Sequence, residues 1–501
     1  MNLGDLVERL QPRDVRGDAA VQRVSLDSRQ AGPGVLFAAV PGSRADGHDY
    51  AAAAAAAGSP LLVERWPDDL PASAVGLLVA DSRRAAALAA QALHGDPAAD
   101  MLTFGITGTN GKTSTVAILR TILHVAGLRA GSLGTTGIAW NGRSGRHEHV
   151  ATHTTPDGPA LWEWVGRMRD DGVQALALEL SSHALDQGRA AGLPLSVGAW
   201  TNLSRDHLDY HGDLDEYERA KGRLLTEQLA TWGRPKSAAV LFVDDPAVAR
   251  WGSAHPRTLR VSLRVGAAER GEAEVSPRSE PIYRLDGTEC VVTAMGTGLK
   301  LRTGLIGPHN LINALMAGGS AIAAGITPEA VENGWKATPG APGRLERVVR
   351  EDRVGPTVLV DYAHSDDALA RVLSGLRPLT GGRITTVFGC GGDRDAGKRP
   401  LMAAAAAAGS DALVLTSDNP RGEDPEAILD AMEPGLTGCD IPWQRIADRA
   451  AAIGAAIGSA GADDVVLIAG KGHETYQEVG GERLAFDDRL VARQALRDWP
   501  A

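Results

Sequence analysis

The strictest pattern in the chain lies between residues 101 and 245, where short apolar runs alternate with stretches of helical periodicity. "MLTFGIT", "ALALELSS", "VGAWTNLS" and "AAVLFVDD" each read as a strand that stops at polar residues. Continuous apolar runs suit a sheet covered on both faces, and the helical stretches between them supply the covers. The pattern therefore predicts a largely parallel sheet. Residues 1–98 repeat the theme with shorter runs, "VLFAAV", "LLVER" and "GLLVA", between alanine-rich helical segments. "HGDPAAD" at 94–100 carries the turn-forming Asp-Pro of a linker.

From 258 to 306 short runs follow one another without a long helix, which predicts a β-rich insertion or edge. "PHNLINALMAGGSAIAAG" then returns to helical periodicity, and the Pro- and Gly-rich "ATPGAPGRLE" marks a second boundary. Beyond it, "TVLVDYAH", "ITTVFGCGG", "DALVLTSDNP" and "DDVVLIAGKGHE" end in Gly, Asp, Asn or His. In open α/β sheets ligands bind at the carboxyl ends of the strands, so both the middle and last thirds have chemistry where a site belongs. The expected architecture is α/β in three domains, 1–98, 99–338 and 339–501.

Composition narrows the class. At 501 residues the chain exceeds one ordinary core, which agrees with several domains. A formal net charge of -11 argues against a general nucleic-acid binder, which needs a basic face. Cys290, Cys390 and Cys439 are scattered, with neither metal spacing nor a disulfide framework, so a reducing cytoplasm is the expected setting. The first residues, "MNLGDLVERLQPRDVRGD", are charged throughout and show no apolar leader. The alanine run at 51–57 is too short to span a membrane, so no membrane insertion is expected.

Candidate chemistry begins with Thr107-Gly108-Thr109-Asn110-Gly111-Lys112-Thr113, set between a strand and a helix. Glycines let backbone N–H groups converge on phosphate oxygens, and the helix start adds partial positive charge. Lys112 supplies a point charge for the β- and γ-phosphates and Thr113 a hydroxyl for Mg²⁺. The strict phosphate-loop pattern has glycine where this chain has Ile106. Glu179 ends an apolar strand, where a carboxylate is costly unless paired or metal-bound. Ser181, His183, Gln187 and Arg189 follow it, readable as ligand contacts or equally as a capping cluster. Asp206-His207 and Asp209 with His211 suit a metal or phosphate neighbourhood, or simply a polar loop with an Asp cap. Lys221 stands among Glu216, Glu218 and Arg219, and its spacing reads as an ordinary solvated lysine. In the last third, Arg394 and Arg421 lie in loops with Asp418, Glu474 and glycines. Arg would take the carboxylates of a zwitterion and the acids its ammonium; the plainer reading is polar loops that stabilise one another.

The motifs "GITGTNGKTST", "ELSSHALDQGR", "TNLSRDHLDYHGDLDEYERAK", "DYAHSDDAL", "GCGGDRDAGKRPLM", "SDNPRGEDP" and "IAGKGHETYQ" together resemble the Mur ligase family. The resemblance runs from "SLDSR" at 25–29 to "GKGHE". Its central motifs are shared with folylpolyglutamate synthetases, whereas "DNPR" resembles the form that selects diaminopimelate over lysine.

The family implies a UDP-substrate-binding first domain, a P-loop ATPase-type middle domain and a Rossmann-like last domain that takes the amino acid. It implies that ATP phosphorylates the D-Glu γ-carboxylate of UDP-N-acetylmuramoyl-L-Ala-D-Glu, and that an amine attacks the acyl phosphate. By position, Gly108, Thr109, Asn110, Gly111, Lys112, Thr113 and Ser114 would hold ATP, with Asn310 and Asn313 on the adenine side. Thr113, Glu179 and His207 would surround Mg²⁺ with Lys221, which matches a lysine carbamylated by CO₂. Lys112, Lys221, His207 and Glu179 would be the catalytic set. Leu26, Ser28, Ser43, Arg44 and Ala45 would meet the UDP end, and Thr154, Thr155, Ser181, Gln187 and Arg189 the muramoyl-dipeptide end. Arg394, Asp418, Asn419, Pro420, Arg421, Gly470 and Glu474 would form the pocket for diaminopimelate. The resemblance also implies a cytoplasmic monomer. Two departures, Phe242 and Ser365-Asp366, fall near the expected nucleotide side.

Overall fold

Alternation decides how the N-terminal strands are used. In Val35–Ala38, Leu36 and Ala38 join one apolar cluster and Phe37 another; in Leu61–Val63, Leu62 parts from Leu61 and Val63 in the same way. Neighbouring residues of a strand face opposite sides, so both faces need covers. The helix Ser82–Leu93 contributes Ala85, Ala86 and Ala89 to the first cluster, and Ala51–Ala56 contributes Ala51 and Ala54 to the second. The sheet runs Asp14–Arg16, Gly76–Leu78, Leu61–Val63, Val35–Ala38, Arg23–Ser25, parallel except at its first pair.

The computed structural model describes residues 1–42, 45–151, 153–349 and 355–499. They form two compact units, one of residues 1–280, 290–301 and 312–337, the other of 281–289, 302–311 and 338–501.

The main sheet of the first unit has at its centre Ala238–Phe242, Val197–Trp200, Leu102–Thr107, Ala175–Glu179 and Ala130–Gly134, all parallel. These are the apolar runs read from the sequence, with Ala130–Gly134 added. Ile106 pairs with Glu179 and Thr107 with Trp200, so the three central strands end nearly level and their loops leave from one edge. The hairpin Gly137–Gly142 and Gly145–His149 extends one side. Thr258–Val261 and Val275–Pro277 extend the other, followed by antiparallel residues 292–294. These first-unit parts of the predicted β-rich stretch thus form an edge of the sheet.

In the second unit the order is Glu346–Val348, Thr357–Asp361, Val465–Ala469, Ile384–Phe388, Ala412–Leu415, Trp443–Arg445, parallel except at the first pair. Val358, Val360, Val466 and Ile468 pack with Ile453 and Ala492, while Leu359, Leu467 and Phe388 pack with Leu373 and Met402. Helices thus cover both faces, as a doubly wound sheet requires. All four apolar runs expected here are strands. Among the described residues no helix is long and apolar enough to cross a membrane.

Candidate active site

The loop after Leu102–Thr107 is held open by its neighbour. Gly108 has φ +143°, and a side-chain carbon there would lie 2.0 Å from Thr201 Oγ1, so only glycine fits. Thr201 donates its hydroxyl to Asn110 O at 2.6 Å, Asn202 accepts from Asn110 N at 2.9 Å, and Thr109 N donates to Asn202 O at 3.0 Å. Ile106, where the strict pattern has glycine, is fully buried inside the strand, so the turn starts after it. The helix Lys112–Val125 begins at Gly111 without a side-chain cap, which leaves its first N–H groups to the loop's concavity. Lys112 folds back, its Nζ 2.8 Å from Gly108 O and 3.0 Å from Thr109 O.

Glu179 is 1% exposed, as its place at the end of an apolar strand predicts. Its carboxylate accepts from Thr113 Oγ1 at 3.0 Å, Thr135 N at 2.8 Å and Thr135 Oγ1 at 3.2 Å. Thr135 was invisible to motif reading, although it too follows a strand end. Among the described residues Glu179 has no ion-pair partner, and a buried carboxylate without one suits a cation. Thr113 and Glu179 are hard oxygen donors of the kind Mg²⁺ takes, so the pair fits that ion. Among the described residues no three His, Cys, Asp or Glu side chains cluster to hold a metal without such help.

The structure corrects the reading of Lys221 as solvated. It is 1% exposed, on the helix Leu214–Arg223, with Nζ 2.9 Å from Gly108 O and 4.4 Å from the centre of the Tyr217 ring. Tyr217, Ala220, Lys221 and Leu224 are buried at helical spacing, so the lysine sits in the apolar stripe rather than on the charged face. Burial, and the Lys112 ammonium sharing the same carbonyl, hold the Lys221 amine far below the usual lysine range. A one-turn π-helix, Leu224–Leu229, follows, a distortion common near functional sites.

Among the described residues His207 makes no hydrogen bond or ion pair to Thr113 or Glu179. Its backbone is left-handed at φ +52°, its Nε2 lies 3.5 Å from Asp206 Oδ2, and its ring stands edge-on to His183 at 5.0 Å. The dipeptide-side residues form one network. Thr155 donates to Glu179 O at 2.7 Å and accepts from Ser181 N at 3.1 Å; Arg189 donates to Thr155 O at 2.8 Å and Gln187 Oε1 at 2.9 Å. Thr154 reaches Thr135 at 3.1 Å. Ser181 also caps its helix, accepting from Ala184 N, so the capping reading holds alongside any ligand role.

On the same unit, Ser28 opens a short 3-10 turn capped by Asp27, next to half-buried Leu26. Ala45 is exposed, and Ser43 and Arg44 lie outside the described residues. Asn313 accepts from Thr115 at 3.4 Å and closes over Gly111, where a side-chain carbon would lie 2.4 Å from its Oδ1. Phe242 is a buried strand end.

In the second unit the loops after Ala412–Leu415 and Val465–Ala469 carry the expected pocket. Asn419 donates to Glu474 at 2.8 Å and accepts from Lys471 Nζ at 2.9 Å, and Lys471 also reaches Glu474 at 2.9 Å. Lys471 is fully buried and went unassigned at the sequence level. Asp418 is buried against Gly470, its Oδ2 has no hydrogen-bond partner among the described residues, and burial pushes its carboxyl above the usual range. Below these loops, buried Arg449 pairs with Asp488 at 2.7 Å and also donates to Ser417 O and Ala469 O, tying the two loop bases together. Arg421 is left-handed at φ +53° and half-buried; its Nε donates to Glu478 at 2.9 Å and its Nη1 to Gly392 O at 2.8 Å. Pro420 is buried beside Gly392, which has room for no side chain there: a carbon would lie 1.9 Å from Pro420 O. Arg394 is exposed, and its stem shares the surroundings of Gly391 with Arg421 Nη1. Also in this unit, Asn310 donates to Ile306 O at 3.0 Å, and Ser365 caps the helix Asp366–Leu376 by accepting from Ala368 N.

Three family models match the chain: "Mur ligase family, catalytic domain" at residues 20–96, "Mur ligase middle domain" at 106–321 and "Mur ligase, glutamate ligase domain" at 343–472. The chain belongs to the Mur ligase family. It is 40% identical to a curated UDP-N-acetylmuramoyl-L-alanyl-D-glutamate–2,6-diaminopimelate ligase of Geobacter metallireducens, covering 99% of each chain. The protein of the same name from Geobacillus thermodenitrificans is also 40% identical, over 96% of each. A solved structure of a ligase of that name matches with a TM-score of 0.69 and 33% identity over 95% of each chain. Mycobacterium tuberculosis folylpolyglutamate synthase complexed with ADP shares the fold at 20% identity, with a TM-score of 0.59 over 77% of this chain and 91% of its own. The three-domain α/β architecture of the Mur ligases is therefore the architecture of this chain.

The histidine cluster yields a measurable expectation. Burial, with His207, His211 and Arg189 around it, pushes the His183 imidazole down to about 4. A depressed histidine gives stability that is whole above its ordinary value and is lost as pH falls through about 4. Histidine NMR should show His183 neutral throughout the range where free imidazole titrates; a midpoint near the free value would contradict this environment.

Proposed function

We propose that the chain is an ATP-dependent acid–amino-acid ligase that adds diaminopimelate, the meso isomer, to UDP-N-acetylmuramoyl-L-Ala-D-Glu. It would act on the D-Glu γ-carboxylate in cytoplasmic peptidoglycan precursor synthesis. The observation that carries this reading is the end-to-end likeness to ligases named for that reaction, at 40% identity over 99% of the chain. In our reading residues 1–98 take the UDP end through Leu26, Ser28, Ser43, Arg44 and Ala45. Residues 99–338 hold ATP on Gly108 to Ser114 with Asn313, and residues 339–501 take the amino acid. Asn310 would serve the adenine side.

The reaction needs negative charge neutralised on a phosphoryl group while a carboxylate oxygen attacks it. Lys112 and the loop's N–H groups serve the phosphates. Thr113, Glu179, His207 and a carbamate on Lys221 would hold Mg²⁺, which supplies charge neutralisation at the transferred group. The burial of Lys221, which holds its amine well below the usual lysine range, supports the modification, because only an unprotonated amine adds to CO₂. Thr154, Thr155, Ser181, Gln187 and Arg189 would orient the dipeptide so that its γ-carboxylate meets the phosphoryl group. The incoming amine then attacks the acyl carbon and phosphate leaves with the former carboxylate oxygen. At the amino-acid pocket, Arg394 and Arg421 would grip carboxylates while Asp418 and Glu474 accept an ammonium. Arg421 favours diaminopimelate over lysine, which lacks the second carboxylate.

Two measurements test the proposal. Phosphate release with ATP, Mg²⁺ and the UDP-dipeptide should depend on meso-diaminopimelate and be weak with the LL isomer or L-lysine; release with lysine alone would overturn the assignment. Incubation with ¹³C-bicarbonate should give a carbamate carbonyl signal in the wild type that is missing in Lys221→Ala. A signal equal in both would remove Lys221 from the metal set.

A further inference from the structure

We infer that Glu478, just past the "IAGKGHETYQ" motif on a hairpin that starts within it, is a positioning residue for amino-acid selection: it fixes the Arg421 guanidinium in its receiving orientation. The inference rests on the reading of Arg421 given above and adds to it a residue that no motif contains. The hairpin pairs Tyr476–Val479 with Glu482–Ala485, with Glu478 directly opposite Arg483. It is stitched to the loop that carries Asp418 to Arg421. Gln477 Nε2 donates to Asp418 O at 2.8 Å and Glu478 N to Asn419 Oδ1 at 2.9 Å. Arg421 N donates to Glu478 O at 2.8 Å, and Gly480 N to Arg421 O at 2.7 Å. Arg421 therefore joins the hairpin as a bridge partner of Val479.

The side chains complete the arrangement. Glu478 Oε2 accepts from Arg421 Nε at 2.9 Å, and Oε1 accepts from Arg483 Nε at 2.9 Å. Arg483 is itself stacked over the Tyr476 ring at 4.5 Å, so the carboxylate that holds Arg421 is held in turn. With Nε on Glu478 and Nη1 on Gly392 O, the plane of the guanidinium is fixed. Among the described residues its Nη2 has no partner, which leaves two N–H donors for a carboxylate. An arginine side chain has many rotamers, and ordering it before the ligand arrives removes that entropic cost from binding.

The test is a double-mutant cycle on the full-length enzyme: wild type, Glu478→Ala, Arg421→Ala and the double variant, with KM and kcat for meso-diaminopimelate. Glu478→Ala should raise that KM about tenfold with little change in kcat. The KM values for ATP and the UDP-dipeptide should stay within about twofold, which excludes general unfolding. In the Arg421→Ala background, Glu478→Ala should add no further loss, because its effect passes through Arg421. Glu478→Gln, which keeps an acceptor for Nε, should recover part of the affinity. Additive effects of the two substitutions, or an unchanged KM in Glu478→Ala, would overturn the positioning role while leaving the ligase reading intact. A wild type with no diaminopimelate-dependent turnover would instead remove the ligase reading and this proposal together.

Discussion

The level ends of three parallel strands constrain everything at the first site. Because Ile106 pairs with Glu179 and Thr107 with Trp200, the loops that follow leave the sheet side by side. One loop then presents backbone N–H groups, the next a buried carboxylate, and the third a turn whose Thr201 and Asn202 keep the first loop open. A slip of one residue in the Ile106–Glu179 pairing would point Glu179 to the other face of the sheet. The residues that meet there come from distant parts of the chain, and the sheet register brings them together.

Electrostatics at that edge is set by desolvation. Glu179 is buried with hydroxyl and amide donors and, among the described residues, no side-chain cation, while Lys221 is buried against a carbonyl that Lys112 also uses. Each would be costly to leave charged and alone in a dry protein. In the proposed reading a divalent cation would answer the carboxylate, and conversion of the buried amine to a carbamate would turn Lys221 into another oxygen donor. The second unit reaches order differently: two of its buried cations are paired, Arg449 with Asp488 and Lys471 with Glu474, and the pairs fix the bases of the loops that would receive an amino acid.

Much of the fold was legible because parallel, doubly covered strands leave continuous apolar runs, and their carboxyl ends leave Gly, Asp and Glu at the stops. Glu179 could be found by that rule alone, and Thr135 answers to it as well. Lys221 was misread because its sequence neighbours Glu216, Glu218 and Arg219 are charged. The decisive fact was the spacing of Tyr217, Ala220 and Leu224, which makes one helix face apolar with the lysine inside it. Glu478 was missed for another reason. Its hairpin strands are short and polar, so neither periodicity nor a motif marks the register that sets it against Arg421 and Arg483. Side chains whose role is to hold other side chains leave little trace until the fold is known.

The central claim is chemical: a carboxylate oxygen of the substrate is phosphorylated before the amide forms. It can be tested with UDP-dipeptide labelled with ¹⁸O in the D-Glu γ-carboxylate, turned over with ATP and meso-diaminopimelate, and mass analysis of the phosphate released. An acyl phosphate requires one ¹⁸O to leave with each phosphate and one to remain in the new amide. Phosphate free of ¹⁸O alongside amide product would contradict the account.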